Sequence, residues 1–209
     1  MAIVKTLWQT WLGPKRRPAG LMDGWKRAYE AAGWQYRLID DEFARQHLNP
    51  KLRRAFNEMP EINGKADIIR WSVLHEFGGF LVDADAECVD VIPDSFLQYK
   101  NFACYENEIC RPGLIAAGYF GAEKGSRFVA KCIEDAAEYR FNGEPAWLTV
   151  GPGLITNIYP LMRDDLHVFS ARTFIPCHYS QTLAPGEEKI YAHQYWGSTH
   201  NSYDKLALK

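Results

Sequence analysis

Short apolar runs alternate with longer stretches of helical periodicity through the first half of the chain. The predicted strands are residues 3–8, 35–39 and 80–82. The predicted helices are residues 21–32, 40–59 and 63–77. Gly33 and Gly78 are typical helix ends, Asn49-Pro50 interrupts the second helix, and Asn63 is expected to cap the third. This alternation predicts an α/β fold with a partly parallel sheet, in which ligands bind at the carboxyl ends of strands.

The second half of the chain is less regular, but it continues the same pattern. Further strands are expected at residues 102–105 and 114–120, and residues 167–169 and 190–195 are expected to be short strands or loops. Helices are expected at residues 126–139 and 154–161, the latter after the break at Gly151-Pro152-Gly153. No internal repeat or low-complexity segment interrupts the pattern, so residues 1–209 are expected to form one domain.

Composition places the chain among globular proteins that bury one good core. It has 209 residues, of which 47% are hydrophobic, and a formal charge of -2. A nearly balanced charge argues against a nucleic-acid surface as the main binding partner. The seven Trp and eleven Tyr are many for this length. Such aromatic side chains fill cores, and they also stack on sugars and bases.

The cysteines and the amino terminus indicate the compartment. The five Cys are an odd number without a C-x-x-C pair, which favours buried thiols in a reducing compartment and no structural zinc. The opening residues lack the pattern of a signal peptide, and no stretch is long and apolar enough for a membrane span. We therefore expect a cytoplasmic protein, with contact at the inner membrane surface as an alternative. The basic run Lys15-Arg16-Arg17 is either a solvated loop or a contact for phosphate or anionic lipid.

Two acidic residues, Asp83 and Asp85, follow the third predicted strand directly. Carboxylates in an Asp-x-Asp turn suit a hard divalent cation such as Mg²⁺ or Mn²⁺, which keeps open positions for substrate phosphates. The plainer interpretation is a loop whose acids are solvated or cap backbone groups. The preceding helix adds Asp67 and Arg70, three residues apart and on one face. They are either an ordinary surface ion pair or polar groups that face the same cleft.

Residues 66–90, ADIIRWSVLHEFGGFLVDADAECVD, resemble the sugar-binding DXD region of glycosyltransferase family thirty-two. That family includes yeast-type mannosyltransferases and bacterial capsule enzymes, and it is related to the clostridial toxin glucosyltransferases. Its pattern is Ala-Asp-x-x-Arg, an apolar helix, Gly-Gly, an apolar strand, Asp-x-Asp and often Glu-Cys. The chain matches each of these parts in register.

Other segments are similar to the family more weakly. Near the start, Gln9, Thr10 and Trp11 match a strand end that meets the nucleotide in the family, where the aromatic ring stacks on the base; the alternative is that Trp11 belongs to the core. Near the end, His193 and Ser198 match a closing segment. The departures from the family pattern are Trp8 for His, Ala117 for Asn, Val150 for Thr and Thr199 for Trp.

The resemblance implies a compact GT-A-type, Rossmann-like domain with a mixed central sheet and the activity of a hexosyltransferase. The donor would be a UDP- or GDP-sugar and the cofactor Mn²⁺ or Mg²⁺. Asp85 would ligate the cation directly, with Asp83 beside it and His193 completing the site. Asp67 and Arg70 would orient the sugar. Gln9, Thr10, Trp11 and Ser198 would line the donor site.

The reaction would proceed with retention of anomeric configuration, and it requires no obvious enzymic base. Glu87, although it lies close to the acids, is expected to be structural. A glycan, glycolipid or protein would accept the sugar, as in polysaccharide biosynthesis. Peripheral membrane contact remains open, and nucleic acid is not an expected partner.

Two competing functions fit less well, and a third remains open. Haloacid-dehalogenase-type phosphohydrolases carry Asp-x-Asp after their first strand, with Thr or Val two residues later, where this chain has Glu87. An EF-hand needs Gly and a late Glu at positions that Cys88 and Asp94 occupy here. A degenerate, non-catalytic binder of sugars or nucleotide sugars remains the alternative to an enzyme.

Overall fold

A six-stranded mixed sheet forms the centre of the protein in a computed structural model that describes residues 2–206. The strands are β1 (Thr6–Thr10), β2 (Gln35–Ile39), β3 (Gly79–Val82), β4 (Ala86–Cys88), β5 (Asn101–Asn107), β6 (Arg111–Ala122), β7 (His167–Phe169) and β8 (Ala192–Gln194). The order across the sheet is β2-β1-β3-β6-β5-β7, and β4 pairs separately with β8.

The sheet is parallel on one side and antiparallel around β6. Strands β2, β1 and β3 run parallel, β6 is antiparallel to both β3 and β5, and β7 is parallel to β5. This confirms the predicted α/β class and the mixed central sheet. Because β1 and β3 are parallel neighbours, their carboxyl ends lie side by side, and the residues that follow them share one edge of the sheet.

Eight α-helices connect and cover the strands within the described residues. They are α1 (Ala19–Ala31), α2 (Asp41–His47), α3 (Arg53–Glu58), α4 (Ile62–Phe77), α5 (Arg127–Ala137), α6 (Ala146–Thr149), α7 (Pro152–Ile158) and α8 (Tyr203–Leu206). Single turns of 3₁₀-helix lie at Pro50–Leu52, Asp94–Gln98, Tyr159–Leu161, Arg163–Asp165 and Ala171–Thr173. The prediction that Asn63 caps α4 is wrong, because the cap residue is Glu61 and Asn63 lies inside the first turn.

Hydrophobic side chains fill both faces of the sheet. On one face, helices α4, α5 and α7 pack against the sheet around Trp71 and Phe120, whose rings are 5.4 Å apart and edge-on. On the other face, Trp25 and Tyr29 of α1 pack against Phe80 of β3. Many of the tryptophans and tyrosines are therefore core residues, and the sheet edge between the two layers is fixed from both sides.

The Gly78-Gly79 pair sets the entry into β3. Both residues have a positive φ, 70° and 114°, a region that favours glycine. A β-carbon on Gly79 would lie 2.6 Å from the carbonyl oxygen of Thr6 and 2.8 Å from the indole nitrogen of Trp8. Trp8 is fully buried, and its indole N–H donates to the Gly78 carbonyl at 2.9 Å. The Trp that replaces the family's His is therefore a core residue that holds β3 beside β1.

Two expectations concern the whole chain, namely membrane-spanning helices and the state of the cysteines. No helix between residues 2 and 206 has the length and apolar character needed to cross a lipid bilayer. All five cysteines are free; Cys104 and Cys132 are buried, whereas Cys88, Cys110 and Cys177 are partly exposed, so the expectation of buried thiols holds for two of the five.

Candidate functional site

The loop after β3 carries both acids of the Asp-x-Asp pair. The Asp83 backbone N–H donates to the Gly118 carbonyl of β6 at 2.9 Å, and the Gln9 side chain of β1 donates to the Asp83 carbonyl at 3.3 Å. Gln9 is fully buried, and its amide oxygen accepts from the Tyr36 hydroxyl at 3.1 Å. The backbone that delivers the two carboxylates is thus fixed by strands on both sides.

Arg70 joins the helical acid to the first acid of the loop. Its guanidinium lies 3.0 Å from Asp67 Oδ1 and donates to Asp83 Oδ1 at 2.9 Å. It also donates to the Ala117 carbonyl. Arg70 is 4% exposed and Asp67 9%, so this is a buried network rather than a surface pair. Arg70 thus contacts the Asp-x-Asp loop directly, and Asp67 lies next to it through Arg70.

Two glycines make room for the acids. A β-carbon on Gly118 would lie 2.2 Å from Asp83 Oδ2, and one on Gly151 would lie 2.3 Å from Asp67 Oδ2. Real β-carbons do not approach other atoms so closely, so a side chain at either position would displace a carboxylate. The Gly-Pro-Gly break that the sequence indicated as a helix start therefore also borders this site.

Asp85 is the more deeply buried acid of the pair, at 5% exposure. Its Oδ1 accepts from the Gln194 side chain at 3.0 Å, and its Oδ2 accepts from the Gly197 backbone N–H at 2.6 Å. The pKa of Asp85 is raised to about 6, mainly by burial and then by the charge of Asp83, while the hydrogen bonds from Gly197 and Gln194 oppose the shift.

Asp67 has a raised pKa as well. Burial raises the pKa of its carboxyl to about 6, although the nearby Arg70 lowers it and Asp83 raises it. Arg70 is one cation among three acids, Asp67, Asp83 and Asp85. The site therefore holds surplus negative charge in a poorly solvated place, which is favourable for binding a cation.

The carboxyl-terminal segment, residues 192–203, closes over this edge of the sheet. The Tyr119 hydroxyl of β6 donates to the Gln194 amide oxygen at 2.7 Å, which fixes the side chain that reaches Asp85. The ring of Tyr203 lies edge-on to Trp11, with centroids 5.1 Å apart. Burial raises the pKa of Tyr203, and the charges of Asp85 and Asp83 add to that effect.

His193 is not brought to Asp85 in this structure. It lies on β8 directly opposite Glu87 of β4, and its side chain is exposed. Because side chains alternate along a strand, Gln194 points to the opposite face and contacts Asp85. The sequence identified the right segment, but the structure puts the neighbouring residue in contact with the acid.

The remaining predicted residues lie around the same edge. Trp11 is half-buried, and its indole N–H donates to the Lys15 carbonyl at 2.7 Å, so its ring is at the rim rather than in the core. Thr10 is 9% exposed, and its hydroxyl has no hydrogen-bond partner among residues 2–206. Ser198 is exposed and hydrogen-bonds Tyr203.

Three residues of the site were not identified from the sequence: Tyr119, Gln194 and Tyr203. Each lies outside the Asp-x-Asp motif, and none carries a local signal that separates it from ordinary core or surface residues. The GYF run of β6 and the HQYWG run near the end are the nearest sequence hints, since both surround the acids in space.

Asp83 and Asp85 can offer a cation only two carboxylates. In the part of the chain that the structure describes, no three His, Cys, Asp or Glu side chains are grouped closely enough to hold a metal ion by themselves. Two hard oxygen ligands beside surplus negative charge nevertheless fit Mg²⁺ or Mn²⁺, since these ions often take their remaining ligands from water and substrate phosphates. The donor set therefore fits a cation that arrives with a phosphorylated ligand.

A family comparison supports this description of the site. Residues 17–103 match the family described as the glycosyltransferase sugar-binding region containing the DXD motif. The match includes Asp67, Arg70, Asp83 and Asp85, whereas Gln9 to Trp11 and the carboxyl-terminal segment lie outside it. The resemblance to DXD glycosyltransferases is thereby confirmed; the family number is not part of this match.

One relative of known identity is a mannosyltransferase. The chain is 24% identical over 174 residues to inositol phosphoceramide mannosyltransferase 3 of Schizosaccharomyces pombe, covering 78% of this chain and 46% of that protein. The chain thus spans about half the length of that relative.

Solved structures show the same fold. PaToxG glycosyltransferase superimposes with a TM-score of 0.58 at 16% identity, over 78% of this chain and 70% of that one. A glycosyltransferase involved in the glycosylation of the major capsid of PBCV-1 has a TM-score of 0.58 at 12% identity, over 97% and 98% of the two chains. The fold is therefore of the GT-A type, as predicted.

Proposed function

We propose that this protein transfers a sugar from a nucleotide-diphosphate-sugar to a hydroxyl-bearing acceptor with the help of a divalent cation. One observation carries the proposal: the buried Asp67–Arg70–Asp83 network lies beside Asp85 at the carboxyl end of β3. That edge is where open α/β sheets bind ligands. This edge brings together polar groups that can bind sugar hydroxyls and two carboxylates that can bind a cation.

Asp83 and Asp85 would hold the cation, with Asp85 as the direct ligand. When bound, Mn²⁺ or Mg²⁺ supplies positive charge that stabilises the negative charge left on the departing diphosphate. Asp67 would accept hydrogen bonds from sugar hydroxyls through its Oδ2, which lies against the backbone of Gly151, where the glycine leaves that oxygen uncovered by a side chain. Arg70, held by the Ala117 carbonyl and two acids, would keep Asp67 and Asp83 in place.

The nucleotide would bind along the end of β1. Thr10 offers a buried hydroxyl without a partner in the described part of the chain, and the partly exposed Trp11 ring is suited to stacking on a base. Gln9 would act by fixing the Asp83 backbone, since both ends of its side chain are already bonded. Ser198 would contribute from the closing segment. As the resemblance implies, transfer would retain the anomeric configuration, and no general base is assigned.

The closing segment would have to release Asp85 before a cation binds there. Both oxygens of that carboxylate are engaged by Gln194 and Gly197 in this structure. Exchange of these two hydrogen bonds for a cation would couple cation binding to movement of residues 192–203. Arrival of the donor diphosphate with the cation would supply the missing ligands at the same moment.

A donor screen tests the proposal. UDP-glucose, UDP-galactose and GDP-mannose are each added with Mn²⁺, Mg²⁺ or EDTA, and both the melting temperature and the released nucleotide are measured. At least one donor should raise the melting temperature only with a cation, since a ligand bound to the native state stabilises it. Nucleotide release should follow in the same mixture. Stabilisation without release would leave a non-catalytic sugar-nucleotide binder, and the absence of both effects would contradict the proposal.

A further inference from the structure

A second cluster of polar and aromatic side chains lies beside the donor edge. It consists of Glu106, Arg111, Trp147, His178 and Tyr179, and we call it the Glu106 cluster. Glu106 is 6% exposed and His178 is 3% exposed, so both are buried ionisable groups. The Arg111 guanidinium lies 4.7 Å from the Trp147 ring and 5.5 Å from the Tyr179 ring.

Two buried polar atoms of the Glu106 cluster lack hydrogen-bond partners within residues 2–206. They are Glu106 Oε1 and His178 Nε2, which lie 3.6 Å apart. Arg111 lies 3.3 Å from the same Glu106 oxygen, and another of its N–H groups donates to the Tyr179 hydroxyl at 3.0 Å. Buried polar atoms are nearly always hydrogen-bonded, so an unbonded pair of them points to a ligand that completes the arrangement.

The tautomer of His178 decides which kind of ligand fits. The Ser180 backbone N–H donates to His178 Nδ1 at 3.3 Å, so Nδ1 carries a lone pair and the neutral ring holds its proton on Nε2. Nε2 is then a donor and Glu106 Oε1 an acceptor. A hydroxyl group that bridges the two atoms from one side can accept from Nε2 and donate to Oε1, which neither a protonated amine nor a carboxylate can do.

The Glu106 cluster is tied to both halves of the donor edge. A β-carbon on Gly151 would lie 3.5 Å from Trp147 Cα and 2.3 Å from Asp67 Oδ2, so Trp147 borders the Asp67 side. On the other side, the Trp196 ring packs edge-on against His178 and Tyr179, at centroid distances of 5.5 and 5.4 Å. The next residue after Trp196 is Gly197, which donates to Asp85.

We propose that the Glu106 cluster is the subsite for an uncharged, hydroxyl-rich acceptor, such as a sugar ring of a glycan, and that Glu106 and His178 grip one of its hydroxyls. This rests on the proposed function, because the cluster borders the edge assigned there to the donor sugar. Trp147 and Tyr179 would form the wall of the subsite, with Arg111 held between their rings.

The charges of the Glu106 cluster favour a neutral ligand. Burial raises the pKa of Glu106, with Arg111 opposing it, and burial together with Arg111 lowers the pKa of His178. The one fixed cation is thus matched by one acid, and no net charge remains to attract a phosphate. Neutral hydroxyls need no such attraction, since paired donors and acceptors recognise them.

Access to the subsite would come from movement of Trp196. This residue has a φ of +55°, in the left-handed region, which costs about 1–2 kcal/mol for a residue other than glycine. Its conformation is therefore held by its contacts, including the bond from its indole N–H to the Cys177 carbonyl at 3.2 Å. The movement that frees Asp85 from Gly197 would also lift Trp196 from His178 and Tyr179.

Acceptor binding without a donor tests the inference independently of turnover. Saturation-transfer NMR with methyl α-mannoside, methyl β-glucoside and methyl β-galactoside should detect binding of at least one glycoside to the wild type. Glu106→Gln should weaken that binding about tenfold or more, because it removes a charged hydrogen-bond acceptor. Glu108→Gln, the same substitution two residues away, should leave it unchanged. Trp147→Leu, at a partly exposed position, should weaken binding as well and serves if Glu106→Gln does not fold.

The outcomes separate the two proposals. If the wild type binds none of the three glycosides, or binds them equally well after Glu106→Gln and after Trp147→Leu, the acceptor subsite is wrong. Mannose 6-phosphate serves as a charged comparison, and binding of it alone would also contradict the subsite. Hydrolysis of the donor by water should stay within about twofold in Glu108→Gln, the control that lies outside the cluster. A loss of hydrolysis in Glu106→Gln as large as its loss of glycoside binding would make the cluster structural and overturn the inference. Glycoside binding that depends on Glu106 in a protein without donor turnover would contradict the proposed function and leave the subsite standing.

Discussion

The loop that follows β3 and the carboxyl-terminal segment of residues 192–203 meet at Asp85, but different interactions hold them in place. The loop emerges from a central strand with neighbours on both sides, and Arg70 ties its first acid to a buried helix. The segment is attached by a two-stranded ladder of three residues, by Gln194 and Gly197 on Asp85, and by ring contacts of Trp196 and Tyr203. The first is part of the core, whereas the second rests on it.

This difference separates two tasks at one site. A rigid sheet edge keeps the carboxylates and Arg70 in a fixed arrangement, which a catalytic site needs. A covering segment that is joined by a few exchangeable hydrogen bonds can open for a ligand at low cost. Substitutions on the loop side should therefore change stability or turnover strongly, and substitutions on the segment side should have smaller effects.

The largest effect is expected at Arg70. Arg70→Leu leaves Asp67 and Asp83 without their shared cation, and breaking a buried ion pair on one side costs about 3–5 kcal/mol. We expect urea unfolding at pH 7.5 to show a loss of that size. Arg16→Leu, on the exposed basic loop, should change the unfolding free energy by less than about 0.5 kcal/mol. A loss below about 1 kcal/mol at Arg70 would mean that the network is solvated and not part of the rigid edge.

A large effect on catalysis is expected at Asp85. Asp85→Asn removes an anionic ligand with little change in shape, and cation-dependent donor turnover should fall at least about a hundredfold, or about 2.7 kcal/mol of barrier. The circular dichroism spectrum should be that of the wild type. Glu87→Gln provides the matched control, since Glu87 lies two residues on and accepts from the exposed Tyr195 hydroxyl instead. Turnover in Asp85→Asn that responds to Mn²⁺ as the wild type does would disprove the assignment of the cation site.

How much of this the sequence predicts depends on the distance between contacting residues along the chain. Residues 66–90 contain a helix, a tight glycine pair, a strand and the acids in one continuous run, so local pattern and motif together place Asp67, Arg70 and Asp83. The parallel strand β2 was likewise predicted with its observed bounds, because Gln35–Ile39 alternates and follows a helix-ending glycine.

The rest could not be predicted because it depends on strand register and on distant partners. Ala86–Cys88 is too short to be recognised as a strand, and its partner Ala192–Gln194 lies more than a hundred residues away. A shift of one residue in that register exchanges the side chain that faces Asp85, which is the difference between His193 and Gln194. The tryptophan at position 8 illustrates the same limit, since only the fold shows that its N–H binds Gly78.

Stability should depend on pH through Asp67. Burial raises its folded-state pKa to about 6, well above the ordinary value of an aspartate carboxyl. The folded state therefore holds the proton more tightly, and its stability falls as pH rises from about 4 through 6, by up to about 3 kcal/mol. Urea unfolding of metal-free protein at pH 5 and 7.5 should show about half of this decrease, since the rest falls below pH 5, and Asp67→Asn should reduce it. Asp164→Asn, at an exposed position, should not. A decrease of the same size in Asp67→Asn would assign the pH dependence to other groups.

On the segment side, Gln194 should matter moderately. Gln194→Leu removes the donor to Asp85 and leaves the buried Tyr119 hydroxyl without its acceptor, which costs about 1–3 kcal/mol. We expect the loss in urea unfolding to shrink in the double variant Gln194→Leu/Tyr119→Phe, since both partners of one bond are then removed. Equal losses in the single and double variants would show that Tyr119 finds another partner and that the segment is held elsewhere.

The smallest effect is expected at His193, which lies next to Gln194 on β8. Its side chain is exposed opposite Glu87, on the face of β8 that points away from Asp85, so His193→Ala should change unfolding by less than about 0.5 kcal/mol. Mn²⁺ activation of donor turnover should also be unchanged, because Gln194 and not His193 contacts Asp85. Titration of Mn²⁺ into wild type, His193→Ala and Gln194→Leu decides the matter. If His193→Ala needs far more Mn²⁺ than the wild type, the segment must turn its other face to the acids when the donor binds, and His193 becomes the third ligand that the resemblance implies. If all three titrations coincide, residues 192–203 cover the site without taking part in binding the cation.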